Sequence, residues 1–279
     1  MIVTFTANPS IDRTVALESP LERGEVHRIS SVIEQAAGKG VNVATVLTNG
    51  GQQVISVLSF VDPAYVAIGH RQQPAIDVCG SPEVDGCAAR VNTAITEPDG
   101  TTTKLNEPGP TLSPEQVAAA TDYLVNAATD SSAAWVVLSG SLPPGAPSDW
   151  YATIVERLRP TGCKIAIDTS DAALDAVLSA LPAASFDLIK PNSDELAQLT
   201  GGDAAAFEAS AKAGDLDAIV AAARTLQRRG IANVMVTLGG AGAVLVNASG
   251  AWYSTAPKVD VKSTVGAGDS SVAGFILAE

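Results

Sequence analysis

The sequence predicts an α/β fold, a mostly parallel sheet with helices on both faces, with a short strand pair standing apart from it as a lid or edge sheet. Three observations lead there. From Ser113 onward, strand-length apolar runs alternate with helix-length amphipathic runs, the pattern of βα units. Two β-rich runs at 88–96 and 101–105, joined by Glu97-Pro98-Asp99-Gly100, read as a hairpin outside that rhythm. Finally, Ser263-Thr264-Val265-Gly266-Ala267-Gly268-Asp269-Ser270 follows a strand-like region at 252–261 and leads into apolar 272–277. That order reads as strand, tight glycine turn and helix N-terminus, whose unpaired N–H groups and positive dipole end suit phosphate.

Composition narrows the function classes. With 279 residues and 46% hydrophobic content the chain can bury a large core, and its length allows about two domains. The N-terminus has no basic region before its short apolar run, and no uninterrupted apolar segment is long enough to span a bilayer, so a cytoplasmic protein is expected. A net charge of −13 disfavours nucleic acid and anionic membrane as partners. Cys79, Cys87 and Cys163 have no metal-like spacing, and His27 and His70 lie far apart, so the thiols are read as structural or incidental.

Taken in order, residues 2–6 are a β-rich run ending at Ala7-Asn8-Pro9-Ser10-Ile11-Asp12, where Pro9 is expected to stop the strand. Strand C-terminal ends are where open α/β sheets bind ligands, so Asp12 is either an acceptor for substrate hydroxyls or a turn cap. Ala37-Gly38-Lys39-Gly40-Val41-Asn42 precedes a helix-like run to Leu47; the Walker A spacing is absent, so Lys39 is expected to reach a substrate, with Asn42 one turn further on facing the same pocket or capping it. Residues 49–87 break every pattern after 54–58 and offer no site. Arg90 sits on the first hairpin strand, where it either closes over a phosphate or is a solvated charge.

Ser113-Pro114-Glu115-Gln116 is a capping box opening a helix to about 127. The strand at 135–138 ends in Ser139-Gly140-Ser141-Leu142-Pro143, with exposed backbone amides expected. Helix 149–158, strand 164–168, helix 172–178 and strand 187–189 continue the alternation, and then comes Lys190-Pro191-Asn192-Ser193-Asp194-Glu195. Asn192 and Glu195 have capping-box spacing and are also oxygen donors suited to hydrated Mg²⁺. Helix 215–229, strand 234–237 and the loop Leu238-Gly239-Gly240-Ala241-Gly242 follow; that loop either lies flat against a nucleotide or is a tight turn into strand 244–246.

Six motifs in register, Asn8-Pro9-x-x-Asp12, Gly38-Lys39-Gly40-x-Asn42, Asn106-Glu107-Pro108-Gly109-Pro110, Ser139-Gly140-Ser141-Leu142-Pro143, Lys190-Pro191-Asn192-x-x-Glu195 and Gly266-Ala267-Gly268-Asp269, resemble those of the ribokinase-like sugar kinases. Their order and spacing look most like the 1-phosphofructokinase branch, which includes tagatose-6-phosphate kinases. The resemblance implies one kinase domain over 1–279, a three-layer α/β/α sandwich with a β-sheet lid built from strands at about 12–33 and 87–107. It implies Asp269 as base with Gly266, Ala267 and Gly268 as the anion hole. Asp12, Gly38, Lys39, Asn42, Arg90, Ser139 and Gly140 would bind the sugar phosphate. Lys190, Asn192, Thr237, Gly239, Gly242 and Gly268 would bind ATP, and Asn192 with Glu195 would position Mg²⁺ through water. The implied reaction converts fructose 1-phosphate to fructose 1,6-bisphosphate, the alternatives being a tagatose-6-phosphate or fructose-6-phosphate kinase, or a catalytically poor sugar-phosphate-binding protein on a kinase scaffold. A homodimer through the lid is a further expectation. Since family members continue through further helices, the end at Glu279 is expected to leave the C-terminal end of the fold shortened.

Overall fold

The computed structural model describes residues 1–73, 75–258 and 266–279. Ser263, Thr264 and Val265 of the glycine stretch, and the 259–261 end of the strand expected at 252–261, lie outside the described residues.

The chain opens with β1 (Ile2–Thr6), followed by β2 (Ser10–Leu17), β3 (Ile29–Ala37), α1 (Lys39–Asn49) and β4 (Val54–Leu58). Next come α2 (Pro63–Gln72), β5 (Val78–Cys79) and the hairpin β6 (Arg90–Thr96) and β7 (Thr102–Asn106). Helices and strands then alternate through α3 (Pro114–Asp130), β8 (Trp135–Ser139), α4 (Trp150–Leu158), β9 (Lys164–Asp168), α5 (Asp171–Ser179) and β10 (Leu188–Ile189). Three helices, α6 (Ser193–Thr200), α7 (Ala204–Ala213) and α8 (Asp217–Gln227), lead to β11 (Asn233–Thr237), β12 (Ala243–Asn247), β13 (Gly250–Ser254) and finally α9 (Ala267–Ala278).

The large sheet runs β13-β12-β11-β10-β9-β8-β1-β4-β5 and is parallel except at its β11-β12-β13 edge. The smaller sheet, β3-β2-β6-β7, stands apart from it and is the one expected as a lid. Because β4 lies on one side of β1 and β8 on the other, the winding reverses there, which opens a crevice at the C-terminal ends of β1 and β8. The lid strands leave and re-enter the chain at that end.

Strand alternation decides which residues face the crevice. On β1, Val3 and Phe5 pack with Leu124 of α3 and Trp150 of α4, whereas Ile2 joins Val43 and Leu47 of α1 and Val272 and Ile276 of α9. With a period of two, Thr6 falls on the α1/α9 face. Ser139 and Asp168 are its in-register neighbours on β8 and β9, so the last residues of three adjacent strands form a polar row beneath the N-termini of α1 and α9. α9 is held on that face by packing: Val272 and Ile276 are buried and Phe275 meets Trp135 edge-on, with ring centroids 6.1 Å apart.

Three expectations change. β1 spans Ile2–Thr6 as read, but Asp12 lies inside β2 rather than in a turn; its Oδ1 accepts from Ser10 Oγ at 2.9 Å and, across to β6, from Asn92 Nδ2 at 3.0 Å. The strand read at 252–261 is Gly250–Ser254, an antiparallel edge strand set by its pairing with β12. The stretch 49–87 holds a helix, α2, that few apolar residues announce, since it buries only Tyr65 and Ile68. Asp62 caps α2 through the Ala64 N–H at 2.8 Å, while its other oxygen accepts the Ala89 N–H at 2.8 Å, and Tyr65 Oη donates to the Ala37 carbonyl at 3.0 Å. This stretch thus ties down the body ends of lid strands β3 and β6.

Candidate active site

The N-terminus of α9 forms one wall of the crevice. Gly266 is its left-handed N-cap, with φ +79°, and the first intrahelical bond runs from Ser270 N to Gly266 O. The N–H groups of Ala267, Gly268 and Asp269 therefore have no acceptor within the helix and are available to an anion. Gly268 also permits close approach, since a Cβ there would stand 3.0 Å from Lys190 Nζ.

Asp269 is buried, and its Oδ2 accepts from Asn42 Nδ2 at 2.8 Å, one turn into α1. Asn42 thus faces the pocket rather than capping its helix. Burial raises the Asp269 pKa above the usual aspartate value, and Asp168 adds to this, while the Asn42 hydrogen bond and the charges of Lys39 and Lys190 oppose it. Lys39, at the start of α1, donates to Asp168 Oδ1 at 3.1 Å. Burial alone would lower the Lys39 pKa, but Asp168, with Glu195 and Asp269, outweighs it and holds the ammonium above its ordinary value.

Asp168 is the functional residue the sequence reading missed. It ends β9, is 2% exposed, and also faces Lys190 Nζ at 3.5 Å. A carboxylate closing a short apolar strand gives no local signal; only the strand register brings it under Lys39.

Six buried side-chain atoms lack a hydrogen-bond partner among the described residues: Thr6 Oγ1, Asn8 Oδ1, Arg90 Nε, Asn92 Oδ1, Ser139 Oγ and Asp168 Oδ2. All belong to the strand ends and lid residues around the crevice. Each unmet group costs about 1–3 kcal/mol, so their concentration here indicates partners supplied by ligand or water. Arg90 joins lid to body, donating to the Glu107 carbonyl and to Ser141 Oγ, each at 3.4 Å. Asn8 Nδ2 donates to the Pro108 carbonyl at 3.0 Å and the Leu142 carbonyl at 3.5 Å, so three of the motifs meet at one side chain. Gly140 serves differently, its carbonyl accepting from Tyr151 Oη and Thr169 Oγ1.

On the far side, Leu238, Gly239, Gly240 and Ala241 line a cleft of about 470 Å³ with Lys212 of α7 and Tyr253 of β13. That volume lies in the range of small-molecule sites, roughly 300–1,000 Å³. Gly239 lines it, whereas Gly242 lies behind it, with φ +107° and the Ser254 carbonyl where a Cβ would stand. Thr237 bridges to Asn192, its N–H donating to the Pro191 carbonyl at 3.0 Å.

Asn192 and Glu195 form the full reciprocal cap, Asn192 Oδ1 accepting the Glu195 N–H at 2.8 Å and Glu195 Oε2 accepting the Asn192 N–H at 2.9 Å. Glu195 Oε1 keeps no hydrogen bond among the described residues, and no group of three or more His, Cys, Asp or Glu that could hold a bare ion occurs among them. Such a donor set fits a hydrated Mg²⁺ held through water.

A sequence profile of the family described as "pfkB family carbohydrate kinase" matches residues 6–278. The 1-phosphofructokinase of Xanthomonas campestris pv. campestris is 36% identical over 279 residues, covering 99% of this chain and 83% of that protein. The 1-phosphofructokinase of Escherichia coli K12 is 36% identical over 281 residues, with the same coverage of each. Among solved structures, phosphofructokinase-2 from Escherichia coli in complex with fructose-6-phosphate shares the fold at a TM-score of 0.81 and 23% identity, over 99% of this chain and 86% of that one. No helix among the described residues is long and apolar enough to cross a membrane. Profile, relatives and fold agree with the motifs, and the chain belongs to the pfkB family of carbohydrate kinases.

Proposed function

We propose that this chain is an ATP-dependent kinase of a sugar phosphate, converting fructose 1-phosphate to fructose 1,6-bisphosphate in the cytoplasm. The observation that carries this reading is Asp269, oriented by Asn42 at the amide-bearing N-terminus of α9 and flanked by the ammonium groups of Lys39 and Lys190. The names of the relatives favour fructose 1-phosphate over other phosphosugars.

In this reading the deprotonated Asp269 takes the proton of the attacking sugar hydroxyl, and Asn42 holds the carboxylate in place while it does so. The N–H groups of Ala267, Gly268 and Asp269 meet the charge that develops on the transferring phosphoryl oxygens. Lys39 and Arg90, with Asp12, Gly38 and Ser139 around them, hold the phosphosugar beneath the lid, while Gly140 fixes the end of β8 through its occupied backbone groups. The nucleotide lies along Lys190, Thr237 and Gly239, with Gly242 shaping the loop from behind. Asn192 and Glu195 would hold Mg²⁺ through water, and the bound ion supplies charge neutralisation of the phosphates.

The test is ADP release measured with fructose 1-phosphate, fructose 6-phosphate, tagatose 6-phosphate and unphosphorylated fructose. Fastest turnover is expected on fructose 1-phosphate; release no faster with any phosphosugar than without one sinks the reading. Lys39→Ala and Arg90→Ala are each expected to raise KM for the phosphosugar by roughly ten- to a hundredfold, the loss of one charge-assisted contact. Their effect on unphosphorylated fructose should be smaller. Equal effects on both sugars would show that neither side chain reads the phosphate.

A second copy of this chain is the partner proposed for the lid. Ile29, Val32 and Ile33 of β3 and Leu105 of β7 are each 50–58% exposed, and β3 and β7 are the open edges of the small sheet. Sedimentation should give a dimer that Ile33→Glu converts to monomer; a wild-type monomer at micromolar concentration excludes it.

A further inference from the structure

We propose that Asp168 is a positioning residue that holds two lysines from different elements in one arrangement, Lys39 toward the phosphorylated sugar and Lys190 toward the nucleotide phosphates. The proposal rests on the kinase reading of the site. Asp168 Oδ1 is 3.1 Å from Lys39 Nζ and 3.5 Å from Lys190 Nζ, so a single oxygen serves both. Neutralising one buried carboxylate takes one ammonium, because the penalty of burying a charge falls once it is paired. The second lysine is not consumed by that carboxylate, although Asp269 and Glu195 are also charged neighbours of Lys39. An ammonium has three donors and Lys39 places one on Asp168, so it can still meet an anion in the crevice.

Exposure differs among the three charges in a way that fits this division. The side chains of Asp168 and Lys190 are 1% and 7% exposed, whereas that of Lys39 is 38% exposed, so a fixed carboxylate and one fixed ammonium tether a second ammonium that still reaches the crevice. Without the carboxylate, two like charges on α1 and on the loop after β10 would repel and splay. A long, flexible lysine is a poor phosphate reader unless something else fixes its geometry. Asp168 is not expected to touch the reacting atoms; it acts through Lys39 and Lys190.

Asp168→Asn keeps the side-chain shape and removes its charge. KM for fructose 1-phosphate and KM for ATP are both expected to rise about tenfold or more, where Lys39→Ala affects the sugar phosphate alone. A merely structural role would not move the acid limb of kcat against pH. The groups facing Asp269 are Asn42 and Lys39 on α1, Asp168 at the end of β9 and Lys190 after β10. Of these Asp168 is the one that raises the Asp269 pKa by charge, so the limb should shift to lower pH in Asp168→Asn. Both KM values within about twofold of wild type, an effect on one substrate only, or an unmoved acid limb each overturn the proposal. Should Asp168→Asn lose its melting transition, a double-mutant cycle of Lys39→Met and Lys190→Met decides. Lysines held by one carboxylate should give a combined effect that departs from the product of the single effects by about threefold or more, and a simple product overturns the shared anchor. If wild type transfers no phosphoryl group, the kinase reading fails by itself. Calorimetric binding of ATP and of fructose 1-phosphate to the same variants then decides on Asp168, with weakened binding of both supporting it and unchanged binding of either overturning it.

Discussion

Asp269→Asn is expected to lower kcat by about 10²–10⁴-fold, the usual contribution of a general base, while leaving the KM for the phosphosugar nearly unchanged. The substitution keeps an oxygen to accept from Asn42 Nδ2 and keeps the backbone N–H groups at the start of α9, so only the proton acceptor is lost. Wild type should also show an acid limb in kcat that the variant lacks. Asp269 works as a base only when deprotonated, and its pKa is raised by burial and by Asp168. Activity is therefore full above that raised pKa and falls as pH drops through it, at higher pH than a free aspartate would give. A variant within about threefold of wild type would remove Asp269 from the role of base.

Trp150→Ala is expected to destabilise the chain by about 3–5 kcal/mol, read from the shift in a urea unfolding midpoint. Trp150 is 1% exposed, meets Phe5 of β1 edge-on with centroids 5.5 Å apart, and donates from Nε1 to Thr121 Oγ1 of α3 at 2.7 Å. Truncation opens a cavity among β1, α3 and α4 and leaves the Thr121 hydroxyl short of one partner. Because Trp150 packs on the sheet face opposite α1 and α9, the folded variant should retain its pH profile. A loss below about 1 kcal/mol would mean that the surrounding side chains collapse into the space.

Elements whose cause is local were legible in the chain itself. Ser113 and Gln116 are three residues apart and cap α3 as their spacing requires; Asn192 and Glu195 do the same for α6. The apolar runs of β8, β9 and β11 mark strands buried on both faces, and the two glycines before Asp269 mark the start of α9. What escaped depends on distance along the chain. Lys39 and Asp168 are 129 positions apart, and Asn42 and Asp269 are 227 apart, so their pairing exists only after β1, β8 and β9 align and α1 and α9 pack on the same face. Asp12 escaped for a related reason, because its partner Asn92 lies 80 positions away on the lid. α2 was hidden because a ten-residue helix with two buried side chains carries little periodicity, and its task is performed by a hydroxyl and a carboxylate rather than an apolar face.

Those two groups have a mechanical consequence. Tyr65 grips the Ala37 carbonyl at the foot of β3, and Asp62 grips the Ala89 N–H at the foot of β6 while capping its own helix. β3 and β6 lie on either side of β2, so α2 holds the small sheet at two of its four strands. A rotation of the small sheet about these two attachments would carry α2 with it, with the largest displacement at the tips near residues 18–28 and 97–101. A small displacement at the attachments is multiplied along the strands.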